Sequence, residues 1–484
     1  MHIPAVYDVN LSIVSPELAL GLVGVLVLIL DLFLRDEEAR WLVVPSIAGV
    51  VLSGVYAAGL WGQAATAFHG AVVVDPFSLG FDFLFLTVIL LTLLLSLRLP
   101  KLSSGHFALL LWAGTGMMLL AAASSLMTLF LGVELLSISL YLLVALAPGN
   151  AAAGEAALKY FILGAFATGF LLLGIAFLYG STGAVTLFGI QKALSGGALN
   201  LPHAFTFLKV GLALFLVGLG FKLALVPFQV WVPDVYQGAP TPITAFMSVG
   251  TKAAAFAALL RSLYGIIHPG GWIPALTVLA VATLLVGSLL ILRQTNLKRL
   301  LAYSGIVNAG YLLVALVSFG LVPAAYYLAA YTFMNLGAFA GIAALSKDAE
   351  EGAELPAYRG LAYRRPWLGA SLAFLFLSLA SIPPTGGFTG KFLILLSAVA
   401  SNHAYLAVIL VAATAISLFA YLRVVVALFT PAEEAGLAPR PLPAGAVVVV
   451  GIGVLGVLAT GILPHLFLIP ISSMTHLFTI SPVP

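Results

Sequence analysis

Fourteen stretches of mostly apolar residues, each close to the length of a bilayer crossing, run through this chain and exclude a water-soluble globule. They fall at about 15–34, 41–62, 76–98, 106–123, 125–147, 155–179, 206–226, 242–266, 272–292, 296–319, 323–346, 367–400, 404–429 and 445–468. A spanning helix needs roughly 20 apolar residues. Runs this continuous, rather than alternating, favour helices over barrel strands. Composition agrees, because charged residues are 8% of the 484 positions. Soluble chains carry about 25%, so there are too few charges here to coat a surface facing water. The expected fold class is an all-α integral membrane protein with about 14 transmembrane helices in a lipid bilayer.

What the chain lacks narrows its chemistry. It has no cysteines, which removes disulfides, iron–sulfur ligation and thiolate zinc sites. The eight histidines are scattered, none three or four residues from another, so metal-ligand spacing is absent. No cofactor is expected in this chain. A net charge of +3 is too small to suggest nucleic acid. The first residues lack a basic segment and carry Asp8 and Glu17, so the first run reads as a retained helix, not a cleaved signal.

Loop charge sets an orientation. With both termini outside, thirteen basic residues from Arg35 to Arg440 fall on the inner side and three, Lys192, Lys209 and Arg261, on the outer. This is the positive-inside pattern, and one missed span would have inverted every later loop. Four of the twenty basic residues remain, Lys159, Lys222, Lys252 and Lys391, all inside expected spans. A lysine at a helix centre costs about 2.5–3.5 kcal/mol on insertion scales, which makes each of them a functional candidate.

Two of these lysines stand beside breaks. In "FKLALVPFQVWVPDVYQGAPTP" (221–242) Lys222 precedes Pro227 by five residues. In "SIPPTGGFTGK" (381–391) Lys391 follows Pro383 and Pro384. Proline removes a backbone donor and clashes with the preceding turn. Breaks in the seventh and twelfth spans, five apart, suggest two five-helix repeats, the second inverted because five is odd. Matching broken helices point to an ion site near the midplane. The chain then divides into 1–105 (helices 1–3), 106–266 (helices 4–8, break at 227–240), 267–429 (helices 9–13, break at 381–387) and 430–484 (helix 14).

Glu134, alone in "LFLGVELLSISLYLL", is the expected partner of Lys222. Making or breaking such a pair changes how tightly the lysine holds its proton. Lys252 in "MSVGTKAAAFAALL" lies mid-span. Lys159 follows Glu155 at i+4 in "GEAALKYF", so an ordinary helical ion pair near the inner end competes with a transport role. The carbonyls freed at Pro227 need partners. Water is the expected one, held by Asp234, Tyr236 and Gln237. Two motifs fail. "GIGVLG" at 451–456 has no acidic residue after it for a ribose, and "GNAAAGEAA" at 149–157 has Glu155 where a P-loop needs lysine. Gly337 and Gly341 form a GxxxG suited to close helix packing.

The stretches "GVELLSISLYLL", "EAALKYFILGAFATGFLLLG", "FKLALVPFQVWVPDVYQGAPTPITAFMSVGTKAAAF", "NLKRLLAYSGIVNAGYLLVAL" and "IPPTGGFTGKF" together resemble the family of subunit N of the proton-pumping NADH:quinone oxidoreductase, respiratory complex I. Subunit N is one of its antiporter-like subunits. The resemblance covers most of the chain. It implies fourteen helices with two inverted repeats and a proton relay. In that relay Glu134 partners Lys222, Lys252 is central, Lys391 is terminal toward the outside, and Lys159 sits near the inner side. It also implies a multi-pass protein of the bacterial inner membrane. Other membrane subunits of the complex would be its partners, and NADH, FMN, iron–sulfur clusters and quinone would reside in partner subunits. Two positions depart from the family pattern: Gln229 and Asn308 stand where histidine is frequent. Neither takes up a proton, though both can hold a water. A subunit of a multi-subunit sodium/proton antiporter shares the architecture. A non-conducting structural subunit is the remaining alternative.

Overall fold

A computed structural model describes residues 10–35, 38–97, 99, 105–147, 150–196, 203–266, 271–345, 353–431 and 441–474. Arg98, Lys101, Lys347 and Arg440 of the charge tally, with Asp8, His2, His268 and His476, lie outside the described residues. The chain begins with α1 (Ser15–Asp31), α2 (Val43–Gly59) and α3 (Pro76–Ser96), with a small antiparallel hairpin, β1 (Ala65–Ala67) and β2 (Val72–Val74), between the last two. Next come α4 (His106–Ala122), α5 (Leu126–Ala145), α6 (Ala151–Thr182), the short α7 (Leu187–Ser195) and α8 (Ala204–Leu223). After the first break, α9 (Trp231–Gly238) and α10 (Thr241–Phe246) lead through a π-helical turn (Met247–Thr251) into α11 (Lys252–Ile266). The rest comprises α12 (Ile273–Leu290), α13 (Leu297–Val317), α14 (Leu321–Leu345), α15 (Leu361–Arg364), α16 (Pro366–Leu379), α17 (Gly386–Ala400), α18 (Ala404–Phe429), α19 (Ala444–Ile462) and α20 (His465–Ser473).

All fourteen expected spans are helical. Eleven helices among the described residues are long and apolar enough to cross a membrane on their own. The twelfth span is two half-helices of 14 and 15 residues, α16 and α17. At a rise of 1.5 Å per residue, each covers roughly 21 to 23 Å, short of a core about 30 Å thick.

Burial ranks the helices. Within the most apolar stretch of each, every residue is buried for Thr241–Ile266 and 94% are for α13, against 33% for α6. The π-turn, α11 and α13 therefore form the interior. Lipid gives helices no hydrophobic reason to associate, so close packing of small residues does that work. A Cβ on Gly174 of α6 would lie 2.6 Å from the Phe215 backbone nitrogen of α8. Gly453 of α19 would meet the Gly337 Cα of α14 at 2.9 Å. The "GIGVLG" stretch is thus helix interior, with Gly453 and Gly456 packed on Gly337 and Phe333.

Candidate functional site

The first break is a helix end followed by a fold-back. α8 stops where Ala224 turns left-handed (φ 61), and Leu225 N–H closes on the Gly220 carbonyl at 2.9 Å. Lys222 sits in the last turn, where the helix dipole favours a cation. Its ammonium is 3.4 Å from the Tyr160 hydroxyl. It also lies 5.2 and 5.5 Å from the ring centres of Tyr160 and Tyr141. Trp231 stacks on Tyr160 and on Phe221, closing the aromatic wall. Ring faces of this kind attract an ammonium by about 0.5–2 kcal/mol each.

Carbonyls on both sides of the break have protein donors. Trp231 Nε1 donates to the Phe221 carbonyl at 3.1 Å. Lys298 Nζ donates to the carbonyls of Gln237 and Ala239 at 2.8 and 2.6 Å. Lys298 is 0% exposed, so it is no loop charge, as the sequence reading had it. The signal was its place at the start of α13, where a cation opposes the helix dipole and needs another reason to be there. Pro227, Pro383 and Pro384 face outward on the surface of the chain. Gln229 keeps a buried side-chain oxygen without a partner among the described residues.

Asp234 belongs to a cluster of charges on α6, α9 and α13. Its carboxylate is held by Arg299 at 2.7 Å and Lys159 at 3.2 Å. Desolvation alone would raise this carboxyl. The hydrogen bonds and charges of Arg299 and Lys159 outweigh it and hold Asp234 below the usual carboxylate range. Lys159 is likewise not buried. Its side chain is 44% exposed and bonds Glu155 at 2.7 Å. α6 begins at Ala151, capped by Asn150, earlier than the apolar run suggested, and so Lys159 lies at its exposed start. Glu155, Lys159, Asp234, Gln237 and Arg299 line one polar hollow.

Glu134 is only partly buried, and no ion pair joins it to Lys222 among the described residues. From α5, Tyr141 meets Lys222 two turns further along the same face, while Glu134 acts on it through charge at longer range.

Lys252 follows the π-turn, a feature frequent at functional sites. It is 2% exposed, and its ammonium has no hydrogen-bond partner among the described residues. The ammonium lies 5.9 Å from the Tyr236 ring centre. The space it fills exists because residue 305 on α13 is glycine. A Cβ there would come within 2.0 Å of Lys252 Nζ.

Lys391 on α17 reaches back across the second break. It donates to the Leu379 carbonyl, the last of α16, at 3.1 Å, and lies 4.6 Å from the Tyr311 ring centre. The break repeats the first in its backbone. Ser381 is left-handed (φ 64), and Ile382 N–H closes on the Leu377 carbonyl at 3.0 Å. The peptide before Pro384 is cis, as is that before Pro227. In this register Leu379 matches Lys222, so Lys391 brings its charge back to the equivalent station from the far side of the proline.

The sequence reading missed a second group of buried charges. Asp82 of α3 is 1% exposed and Glu17 of α1 is 4%, both deeper than Glu134, and each has an oxygen without a partner among the described residues. Asp82 was visible as the lone acidic residue of its span. Arg261, expected in the outer loops, belongs to α11. It grips Asp75 through both terminal nitrogens at 2.8 and 2.9 Å and donates to the Ala121 carbonyl at 2.7 Å. Asp75 also caps α3 by accepting from Ser78 N–H. Breaking a buried pair by deleting one partner costs about 3–5 kcal/mol. Asp75→Ala is therefore expected to lower the thermal unfolding midpoint in detergent sharply, more than Asp234→Ala at the exposed clamp.

The fold and site define a polytopic membrane protein with lysines buried beside two broken helices, the architecture of an antiporter-like transport subunit. The family described as NADH:quinone oxidoreductase/Mrp antiporter, TM, matches residues 123–417. The chain belongs to that family. It is 45% identical over 478 residues to NADH-quinone oxidoreductase subunit N 1 of Symbiobacterium thermophilum, covering 94% of this chain and 96% of the relative. It is 42% identical to NADH-quinone oxidoreductase subunit N of Trichlorobacter lovleyi, covering 88% and 89%. A chain of respiratory complex I from Thermus thermophilus with bound aureothin superposes with a TM-score of 0.80 at 36% identity, covering 95% of this chain and 99% of that one. A chain of the Mrp complex from Dietzia sp. DQ12-45-1b gives 0.81 at 20% identity over 97% of both, a likeness of fold alone.

Proposed function

We propose that this chain translocates protons as the N-type antiporter-like subunit of an NADH:quinone oxidoreductase, with Lys222, Lys252 and Lys391 as the carriers. The carrying observation is that these three lysines are 3%, 2% and 5% exposed, and none is ion-paired among the described residues. Energy comes from quinone reduction in other subunits, which hold the NADH, FMN, iron–sulfur and quinone sites. This chain contributes no redox centre. Its partners are the other membrane subunits of the complex in a bacterial inner membrane, and both termini lie on the outer side.

A charge change in a neighbouring subunit moves Glu134 toward or away from Lys222, and a proton shifts through Lys252 to Lys391 and leaves outside. Lys159 and the polar hollow around Asp234 serve the inner entrance. Moving one charge against 100 mV costs about 2.3 kcal/mol. A change of two units in a lysine's proton affinity supplies about 2.7 kcal/mol, so the scale is adequate. The shared backbone of the two breaks supports inverted repeats over 106–266 and 267–429, between an N-terminal unit (1–105) and a last helix (430–484).

Purification in mild detergent followed by peptide identification tests the assembly. NADH dehydrogenase subunits are expected to co-purify, and the assembly is expected to acidify vesicles on NADH addition in sodium-free buffer. Co-purification of sodium/proton antiporter subunits, or strict sodium dependence, overturns the reading.

A further inference from the structure

Between Lys252 and Lys391 the interior holds hydroxyls and amides. Tyr331 comes within 3.2 Å of the point where a Cβ on Gly305 would stand, the same point that Lys252 Nζ crowds, so ammonium and hydroxyl flank one small space. Asn335 Nδ2 donates to the Tyr331 hydroxyl at 3.1 Å and to Ser248 of the π-turn at 2.6 Å. Tyr331 stacks on Tyr327, with ring centres 6.2 Å apart. Tyr327 meets Tyr311 edge-on at 6.1 Å, and Tyr311 carries Lys391 over its face. The Tyr327 hydroxyl donates to Asn308 Oδ1.

Asn308 is fixed in turn. Its Nδ2 donates to Ser304 Oγ at 3.3 Å, and Tyr421 donates to the same oxygen at 2.7 Å. Tyr327 and Tyr331 are buried, as are Asn308, Ser304 and Tyr421.

A hydroxyl passes a proton by accepting one on a lone pair while its own O–H bond breaks toward the next acceptor, then turning back. It begins and ends neutral. An amide has a fixed acceptor and fixed donors, so it does not complete that exchange in its ordinary form. We propose that the Tyr327 hydroxyl carries the proton between Lys252 and Lys391, and that Asn308 is the latch that holds this hydroxyl off the path between transfers. The step rests on the reading of the lysines as carriers. Tyr327 touches the moving proton, while Asn308 acts by positioning it.

The test uses the whole complex reconstituted in vesicles. Tyr327→Phe, which keeps the ring, is expected to lower protons pumped per NADH at least tenfold. Asn308→Ala, which frees the hydroxyl, is expected to raise the passive proton leak without NADH severalfold. The double variant is expected to return the leak to the wild-type level, an outcome that a purely structural role for Asn308 does not produce. Pumping within twofold of wild type in Tyr327→Phe overturns the proposal, as does an unchanged leak in Asn308→Ala. If Lys252→Met and Lys391→Met also pump normally, the carrier reading itself fails. If they are inactive while Tyr327→Phe pumps, only the tyrosine step fails.

Discussion

Replacing Lys252 by methionine is expected to abolish proton pumping by the assembled complex while leaving the complex intact. The two halves of that result have separate causes. The ammonium is 2% exposed and has no hydrogen-bond partner among the described residues, so the fold gains little from the charge. Even buried ion pairs are often replaced by apolar residues of similar volume with neutral effect or a gain of about 1–4 kcal/mol, and a lone ammonium has no pairing to lose. Assembly and thermal stability should therefore hold or rise. Transport loses the ammonium that binds a proton beside the Tyr236 ring and Gly305, and the expected fall is at least tenfold, more than about 1.4 kcal/mol. Dye-monitored acidification of vesicles, with NADH oxidation followed under uncoupler, separates lost pumping from lost assembly.

Gly305→Ala is expected to move stability and pumping in opposite directions. Alanine is better than glycine inside a helix by about 0.5–1 kcal/mol, and α13 is a helix here. The added Cβ comes within 2.0 Å of Lys252 Nζ, the free end of a flexible side chain, which yields more readily than backbone. Lys252 must then leave its station between Tyr236 and Tyr331. The unfolding midpoint in detergent should hold or rise, and pumping should fall at least tenfold. Lost pumping with lost protein would mean that Gly305 serves only to pack helices.

The spans were legible because lipid removes ambiguity: a run near 20 residues without charge has one use. The two breaks were legible from Pro227, Pro383 and Pro384, and the lysines beside them from the cost of burying an ammonium. What escaped lay in pairings across the sequence. Lys298 looked like a loop charge because the carbonyls it serves, at Gln237 and Ala239, come from a distant turn. Arg261 looked exterior because its partner Asp75 is 186 positions away. Lys159 looked buried because Asn150 starts α6 earlier than hydropathy indicates. Tyr327 and Tyr331 escaped for another reason. Inside an apolar run a tyrosine counts as another large ring, and only its neighbours reveal what the hydroxyl does. Gly305 was invisible in the same way, since its meaning is a Lys252 side chain arriving from another helix.

The central claim is that protons cross this chain on three buried ammonium groups. The most direct measurement is the number of protons pumped per NADH by vesicles carrying the complex with Lys222→Met, Lys252→Met and Lys391→Met together. Quinone reduction is followed in the same sample. The account predicts that electron flow under uncoupler persists while the proton yield falls at least tenfold. An unchanged yield from the triple variant would contradict it.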